Sequence, residues 1–436
     1  MRTHLRLGAA CAQTFVFAAM LLTAPHMAPA QTVAIVGAKI YPVSGPPIEH
    51  GTVLMRDGLI VAVGASVTVP DGAQRIDAAG KVVTPGIVNA STLLGLQEIG
   101  SVAGTRESVA RGRDGIAAAF RPWEGLNPRS VLLTPARDAG ITSTVVMPSG
   151  GLISGQAALL HLIDGTASEM VLRAPAGMVA NLGHLGFGPT ATPRAETLMR
   201  LREILEDARV YRARRADYER AQARPFAASR LDLDAMLPVL DGREPLIVAV
   251  DMASDIDAAM AIAREFKLKL IVAGGAEAWM RADRLAAAKV PVLTGAMNDI
   301  PTTFATLGQR QENAGLLAKA GVPVTIIRNA GDGDEEGFNA RNIRFEAGNA
   351  VAYGMEWNAA LRAITLTPAE TFGVADRIGS LAPGKIADVV IWSGDPFEFA
   401  TQAERVFVRG VPMNAPSRQD LLEERYKTLP PSYRSP

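Results

Sequence analysis

The segment TPAETFGVADRIGSLAPGKIADVVIWSGDPFE, residues 367–398, has the most informative pattern of the chain. In Thr367-Pro368-Ala369-Glu370 the threonine can cap a helix, the proline fits its first turn and the glutamate can reach back. This capping box predicts a helix that ends near Gly373. Gly and Pro between Leu381 and Lys385 predict a turn, and Val389–Trp392 and Val406–Arg409 predict strands. The segment therefore leads from a helix into β-structure.

The rest of the chain falls into a β-rich N-terminal region and a long alternating region. Short β runs extend from Val33 to Val83, with Asp57-Gly58 and Asp71-Gly72 as turn signals. Beyond Pro85, the segments ITSTVVM, PLIVAVD, LKLIVAG, PVLTG and PVTIIRN alternate with Ala-rich helical segments. This alternation predicts an α/β fold with parallel strands joined by helices. The simplest arrangement is a β domain built from both chain ends, with βα units between them.

The first thirty residues have the pattern of a cleavable secretory signal. Arg2 and Arg6 precede an apolar run from Phe15 to Leu22, and Ala28-Pro29-Ala30 follows. A retained anchor is the alternative, but the run is shorter than the roughly 20 apolar residues that span a bilayer. The single cysteine, Cys11, would leave with the signal, so the mature chain would have no disulfide. We expect export to the periplasm or cell envelope, without a membrane anchor after cleavage.

The charge balance gives no reason to expect a nucleic-acid partner. The chain has 44 basic and 44 acidic residues, and loss of two arginines with the leader leaves a net charge of −2. Its 436 residues are enough for one large core and a satellite domain.

Two segments resemble a known family. Residues 367–398 resemble the C-terminal signature of the amidohydrolase superfamily, imidazolonepropionase-like group, and VVTPGIVNAST, residues 82–92, resembles its entry into the first barrel strand. The resemblance implies a (β/α)8 TIM-like barrel with a small β-sandwich domain formed from both chain ends. The implied units are a signal peptide at 1–30, the β-sandwich domain at 31–84 plus 378–416, the barrel at 85–377 and a C-terminal tail at 417–436. It also implies a hydrolase of non-peptide amide C–N bonds, cyclic or linear, that uses Zn or another divalent metal.

The metal-ligand positions of that family are degenerate in this sequence. The family's first strand reads Asp-x-His-x-His, and further strands supply two histidines, an aspartate and a bridging lysine. The matching positions here are Asn89, Ser91, Leu93, Ala249, Ala276 and Asn329, with Val179 in place of the lysine. Leucine and alanine have no lone pair for a metal, and an amide cannot act as a general base.

The number of histidines leads to the same conclusion without an alignment. After the leader the chain contains only His50, His161 and His184, and His50 falls in the predicted β domain. A site with three or four imidazoles cannot form, so we predict no metal and no other cofactor. One alternative, a weak mononuclear site from His184, Asp251 and Asn329, stays open at this stage.

Polar residues near predicted strand ends are the candidates for a site in the barrel. The catalytic candidates are Asp251, His184, Glu277, Arg328 and Asn329. Each has a structural alternative. Asp251 and Asp255 could cap a helix starting near Ile256, and Glu277 could do likewise.

Three further features have both structural and functional interpretations. His161 lies among apolar residues, which favours a core histidine. The acidic run from Asp332 to Glu336 favours a solvated loop over a cation site. The glycines of PSGGLISGQ, residues 148–156, could let backbone amides approach an anion or carbonyl, but they form no nucleotide-binding pattern.

Three functions remain open from the sequence. The chain could be a family hydrolase whose metal centre is lost, with a small amide or peptide-like ligand. It could be a noncatalytic partner subunit, in a homo-oligomer or with a related active amidohydrolase. It could also be a metal-independent enzyme that uses Asp251 or His184 as a base.

Overall fold

The structure is a computed structural model that describes residues 32–110, 112–183, 192–297, 300–301, 303–327, 339–413, 416 and 418–427. The expected signal peptide lies outside the described residues. In the described part of the chain, no helix combines the length and the apolar character needed to cross a membrane.

Within the described residues, sixteen strands, numbered in chain order, form two sheets. They are β1 (Val33–Ile40), β2 (Ile48–Arg56), β3 (Leu59–Gly64), β4 (Gln74–Asp77), β5 (Val82–Pro85), β6 (Ile87–Thr92), β7 (Ile141–Val146), β8 (Ile153–His161), β9 (Val171–Asn181), β10 (Leu246–Val250), β11 (Leu270–Gly274), β12 (Val292–Thr294), β13 (Val324–Ile326), β14 (Val389–Trp392), β15 (Ala403–Val408) and β16 (Val411–Pro412).

The described α-helices are numbered in the same way. They are α1 (Leu133–Asp138), α2 (Ala167–Met170), α3 (Arg194–Ala213), α4 (Arg215–Glu219), α5 (Arg230–Leu240), α6 (Ala253–Phe266), α7 (Ala282–Ala287), α8 (Asn313–Lys319), α9 (Ile343–Ala352), α10 (Trp357–Ala363), α11 (Leu366–Thr371) and α12 (Arg418–Tyr426).

The first sheet unites the two ends of the chain. Its order is β16-β15-β14-β5-β1-β2-β3, and β4 pairs with β1 beside this path. The joint is the antiparallel pairing of β14 with β5, in which Val389 lies opposite Pro85 and Trp392 opposite Val82. Side chains from both ends, including Ile35 and Phe407, share one buried core. The predicted β domain from both chain ends is therefore present.

The second sheet is a nearly closed barrel of eight strands in the order β6 to β13. The two end strands, β6 and β13, are in contact, while the Val88 N–H donates to the Ile364 carbonyl. Apolar side chains such as Val88, Val145, Ile247 and Ile271 fill the interior. The barrel thus encloses a packed core, as closure of about eight strands requires.

One barrel strand runs against the others. β8 pairs antiparallel with both β7 and β9, whereas β6 and β7, and β9 through β13, are parallel. The connection from β7 to β8 covers only residues 147–152, with Gly150 and Gly151 at positive φ. A parallel crossover needs about a dozen residues or more, so this connection can only reverse the chain. The fold class is as predicted, with one reversed strand that the sequence analysis missed.

The predicted capping box does not start a helix. α11 begins at Leu366, so Thr367 and Glu370 lie inside it, and its N-cap residue is Thr365. The Thr365 hydroxyl donates to the Leu361 carbonyl 2.6 Å away instead of capping α11. Leu366 is buried, and Pro368 is tolerated because amides of the first helical turn lack intrahelical partners. Burial of the preceding leucine therefore moved the helix start upstream.

Candidate active site

The mouth of the barrel is the face where the parallel strands end. β6, β7 and β9 to β13 contribute their carboxyl ends there, and reversed β8 contributes its amino end, where Ile153 lies opposite Ala180. Loops at this face of a barrel form the active site in enzymes of this architecture. Candidate residues are therefore judged by whether they reach this face.

Asp251 lies at the mouth, directly after β10. One carboxylate oxygen, Oδ1, accepts a hydrogen bond from the Ala276 backbone N–H at 3.2 Å. Burial is the main cause that raises the pKa of this carboxyl; the Ala276 hydrogen bond opposes it, and nearby Glu277 and Asp255 add to the rise. A carboxyl with a raised pKa at a barrel mouth can bind or exchange a proton with a ligand.

Gly274 makes room for that carboxylate. It is the last residue of β11, at φ +87°, and a Cβ there would lie 2.7 Å from Asp251 Oδ1. The glycine therefore serves both the left-handed backbone and the close approach of the carboxyl.

Glu277 has a structural role that joins two loops. Its Oε2 accepts the N–H of Ala253, the first residue of α6, at 2.8 Å. Its own N–H donates to the Asp251 carbonyl at 2.9 Å. Glu277 thus accepts a hydrogen bond from a backbone amide at the start of α6 that has no partner within the helix. This agrees with the interpretation of Glu277 as a helix-capping residue.

The corresponding interpretation of Asp251 and Asp255 is wrong. α6 begins at Ala253 rather than near Ile256, and its N-cap residue, Met252, makes no side-chain capping bond. Asp251 binds the amide of Ala276, in the loop after β11. Asp255 lies in the first turn of α6, where its carboxylate pairs with Arg194 at 2.8 Å.

The described positions that correspond to the family's metal ligands are small or apolar. Ser91 is in β6 and Leu93 follows that strand, Ala249 is in β10, and Ala276 follows β11. Leu93 and Ala276 are buried. Val179, the counterpart of the lysine, lies in the apolar barrel interior. Asn329 lies outside the described residues, as do Arg328, His184 and the acidic run from Asp332.

The described residues at these positions do not fit a divalent metal of the family's type. In the described part of the chain, no three His, Cys, Asp or Glu side chains are close enough to hold an ion. The described histidines, His50 and His161, lie in β2 and at the far end of β8, away from the mouth. The other histidines of the chain, His4, His26 and His184, lie outside the described residues. The side chains of alanine and leucine offer no donor atoms to a metal ion.

His161 lies in the core at the opposite end of the barrel from Asp251. Its Nε2 is 2.9 Å from both oxygens of Asp388, just before β14. Asp388 Oδ1 also accepts the N–H of Arg409 at 3.0 Å, and both side chains are almost fully buried. The pair therefore links the barrel to the sheet from the two chain ends.

Several backbone amides of the glycine-rich segment 148–156 donate hydrogen bonds to carbonyl groups elsewhere in the chain. Ser149 donates to the Ser108 carbonyl, and Leu152 and Ile153 both donate to the Gly115 carbonyl. These donors are therefore not directed at a ligand, which removes most of the support for an anion cradle at this segment.

Sequence reasoning missed the roles of three polar residues that hold the mouth together, of which Asn89 was named only as a position that matches the family's first strand. The Asn181 amide, at the end of β9, donates to the Gly151 carbonyl at 2.7 Å and to the Ser154 hydroxyl at 2.9 Å. Glu346 of α9 is buried and accepts the N–H groups of Ala296 and Met297. Asn89 is fully buried and donates to the Ala340 carbonyl at 3.1 Å. The position of Asn181 at the carboxyl end of an apolar strand is a signal that could have revealed it.

Comparison with known proteins agrees with this architecture. The model of the amidohydrolase family matches residues 253–414. The amidohydrolase tasK of Hapsidospora irregularis is 24% identical over 395 residues, covering 83% of this chain and 39% of that protein. Imidazolonepropionase of Mesorhizobium japonicum is 30% identical over 122 residues, which are 24% of this chain and 30% of that enzyme. The chain thus spans less than half the length of these curated relatives.

Two solved structures extend the similarity to the whole fold. The structure of an amidohydrolase from Thermotoga maritima matches with a TM-score of 0.78 at 26% sequence identity. The match covers 88% of this chain and 100% of that chain. Molinate hydrolase has a TM-score of 0.57 at 20% identity over 92% of this chain and 97% of that chain, and it supports the fold alone. In its barrel, its two-ended β sheet and these matches, the chain is similar to proteins of the amidohydrolase superfamily.

Proposed function

We propose that this chain binds a small amide or peptide-like ligand at its barrel mouth and does not perform the metal-dependent hydrolysis of that superfamily. The observation that carries the proposal is the set of residues at the mouth. Ser91, Leu93 and Ala276 stand where metal ligands are expected, while the partly buried carboxyl of Asp251 remains. The names of the similar proteins, two amidohydrolases and an imidazolonepropionase, support an amide-like ligand.

The chemistry of Asp251 suits an amide. Oδ1 is fixed by the Ala276 N–H, which leaves the rest of the carboxyl for a ligand. When protonated, the carboxyl donates to a carbonyl oxygen, and when ionised it accepts an amide N–H. Its raised pKa brings the protonated form toward neutral pH. Asp251 would therefore recognise either half of an amide group, depending on pH.

The test combines metal analysis with a screen of amides, lactams and small peptides. We expect less than stoichiometric Zn, Mn or Fe after dialysis, and no hydrolysis above background with or without added divalent ion. Amides that raise the unfolding temperature should lose that effect in Asp251→Asn. Asp283→Asn, at an exposed position of α7, is the matched control.

Two results would contradict the proposal in different ways. One metal ion per chain together with chelator-sensitive hydrolysis would establish the family's ordinary mechanism. Hydrolysis in excess chelator that disappears in Asp251→Asn, but persists in Asp283→Asn, would make the chain a metal-independent enzyme. In either case, the claim that the chain only binds its ligand would fall.

The second candidate function is that of a noncatalytic subunit that pairs with a copy of itself or with a related amidohydrolase. It is favoured by large apolar side chains exposed on loops at the mouth. Ile99 after β6 is 56% exposed, and Ile300 and Phe304 after β12 are 72% and 88% exposed. Apolar side chains left in water on loops around a pocket are typical of a surface that a partner covers.

Measurement of oligomeric state tests this second candidate. Light scattering should show a dimer, or a metal-containing amidohydrolase should co-purify at equal stoichiometry. Phe304→Ser should weaken either assembly, whereas Phe399→Ser, which is exposed after β14, should not. A monomer at all concentrations, with no amidohydrolase partner, would exclude a subunit role.

We further propose that the chain is exported to the periplasm or cell envelope. The support is the charged start, apolar run and Ala28-Pro29-Ala30 of the leader. Cell fractionation and N-terminal sequencing test this, with Gln31 expected as the first residue. A cytoplasmic chain that retains Met1 would contradict it.

A further inference from the structure

A cavity of about 1020 Å³ opens on the barrel face opposite the mouth, and we call it the basal cavity. Its wall includes Pro245, just before β10, and Pro291, just before β12. Asp251 follows β10 at its other end, so the length of the barrel separates the two places. The basal cavity is therefore independent of the proposed site at the mouth.

The basal cavity is strongly basic. Its lining includes the cationic residues Arg173, Arg243, Arg264, Lys267, Lys269, Arg284 and Lys289. Glu370 is the acidic residue of the lining, and its two oxygens each accept a hydrogen bond from Arg362 at 2.7 Å. The one negative charge of the wall is thus already neutralised, and the cavity keeps an excess of positive charge.

Several of these cations have no acidic partner. Arg243 pairs with Asp241 and Arg284 pairs with Asp257. In contrast, Arg264 and the three lysines form no salt bridge to any residue that the structure describes. Like charges gathered around one concave surface repel each other and attract an anion. The arrangement therefore favours a bound anion.

Two of the lysines occupy backbone positions that usually hold glycine. Lys267 follows α6 at φ 58°, and Lys289 follows α7 at φ 52°. A left-handed residue after a helix is most often glycine, because a Cβ makes this conformation unfavourable. A left-handed lysine within two residues of the helix end in two successive connections therefore brings two amino groups to one cavity at a conformational cost.

The wall also has a large apolar part. Partly exposed Pro245, Leu268 and Pro291 line it together with exposed Ala287 and Ala288 and the cationic side chains. A free inorganic ion would leave this apolar surface in contact with water. A molecule with an apolar body would cover it and gain from its burial.

We propose that the basal cavity binds an amphipathic organic anion, with a carboxylate or phosphate group held by the lysines and an apolar body against the wall. The two anionic groups share the chemistry that lysine recognises, and they are distinguished by experiment.

The test is calorimetric titration of the chain without residues 1–30. The ligands are dodecanoate and dodecyl phosphate, each below its micelle-forming concentration. We expect one bound molecule per chain. The ligand with the lower dissociation constant, dodecanoate or dodecyl phosphate, identifies whether the cavity prefers a carboxylate or a phosphate group. Dodecyltrimethylammonium should not bind, and inorganic phosphate should bind more weakly than dodecyl phosphate. Affinity should also fall as salt is raised, which requires no variant.

The variant with Lys267→Gln, Lys269→Gln and Lys289→Gln should bind the anion at least about 10-fold more weakly. Lys319→Gln is the matched control, because Lys319 lies in the last turn of α8 and outside the cavity lining. If the lysines only stabilise helix ends, the triple variant will unfold at a lower temperature but bind as before, and the proposal is wrong. Equal binding of the cationic detergent, or no dependence on salt, would also overturn it.

Discussion

Replacing His161 by alanine tests the link between the barrel and the β sheet from the chain ends. His161 Nε2 lies 2.9 Å from both oxygens of Asp388, and the side chains of the pair are 3% and 4% exposed. Without the imidazole, the Arg409 N–H is the one donor that the described residues leave to the buried carboxylate. Removal of one partner from a buried pair costs about 3–5 kcal/mol. We expect His161→Ala to lose free energy of unfolding in this range.

The assay is urea unfolding of four proteins that form a double-mutant cycle: wild type, His161→Ala, Asp388→Ala and the double variant. The double variant should lose less than the sum of the single variants, because neither polar group is then left alone. His50→Ala, at an exposed position of β2, should change stability by no more than about 0.5 kcal/mol. If His161→Ala behaves like His50→Ala, or the two losses simply add, the pair does not link the units.

Three further predictions concern the mouth and the barrel core. Because the pKa of Asp251 is raised in the fold, its ionisation destabilises the protein as pH rises above the ordinary value of 3.8. Asp251→Asn should therefore be more stable than wild type at neutral pH and lose this advantage in acid, and urea midpoints at several pH values measure it. Gly274→Ala should displace the Asp251 carboxylate and cost roughly 1–2 kcal/mol for its left-handed backbone; unchanged stability and ligand binding would contradict the contact. At Gly86 a Cβ would lie 2.2 Å from the Thr142 hydroxyl, so Gly86→Ala should cost about 1–3 kcal/mol, while Gly45→Ala, with open space around it, should be neutral by thermal unfolding.

The similarity to a Thermotoga maritima amidohydrolase covers 88% of this chain, while the described residues at the expected ligand positions, Ser91, Leu93, Ala249 and Ala276, are small or apolar. A barrel positions side chains by its backbone, so the fold persists when the side chains at its strand ends change. The fold of this chain therefore does not by itself establish its chemistry. The metal analysis and the Asp251→Asn variant address the chemistry directly.

The direction of the reversed strand β8 could not be predicted from the hydrophobic pattern of its residues. Its residues are buried throughout, so the strand has no alternation that reveals its direction. The length of the preceding connection, residues 147–152, does exclude a parallel crossover. The direction was therefore encoded in the sequence, but as a spacing constraint rather than a periodicity.

The sequence patterns and residue counts by themselves predicted the two-ended β domain, the alternating α/β region and the scarcity of histidine, because they depend only on the order and number of residues along the chain. The barrel was implied by the family resemblance. The sequence did not determine which polar groups meet. Asp251 accepts the amide of Ala276, Glu277 satisfies Ala253, and His161 meets Asp388 across 227 positions. The tertiary structure alone also gathers the basal lysines around one cavity. Such contacts depend on how the barrel closes and on which buried polar groups must find partners, and no local pattern records either.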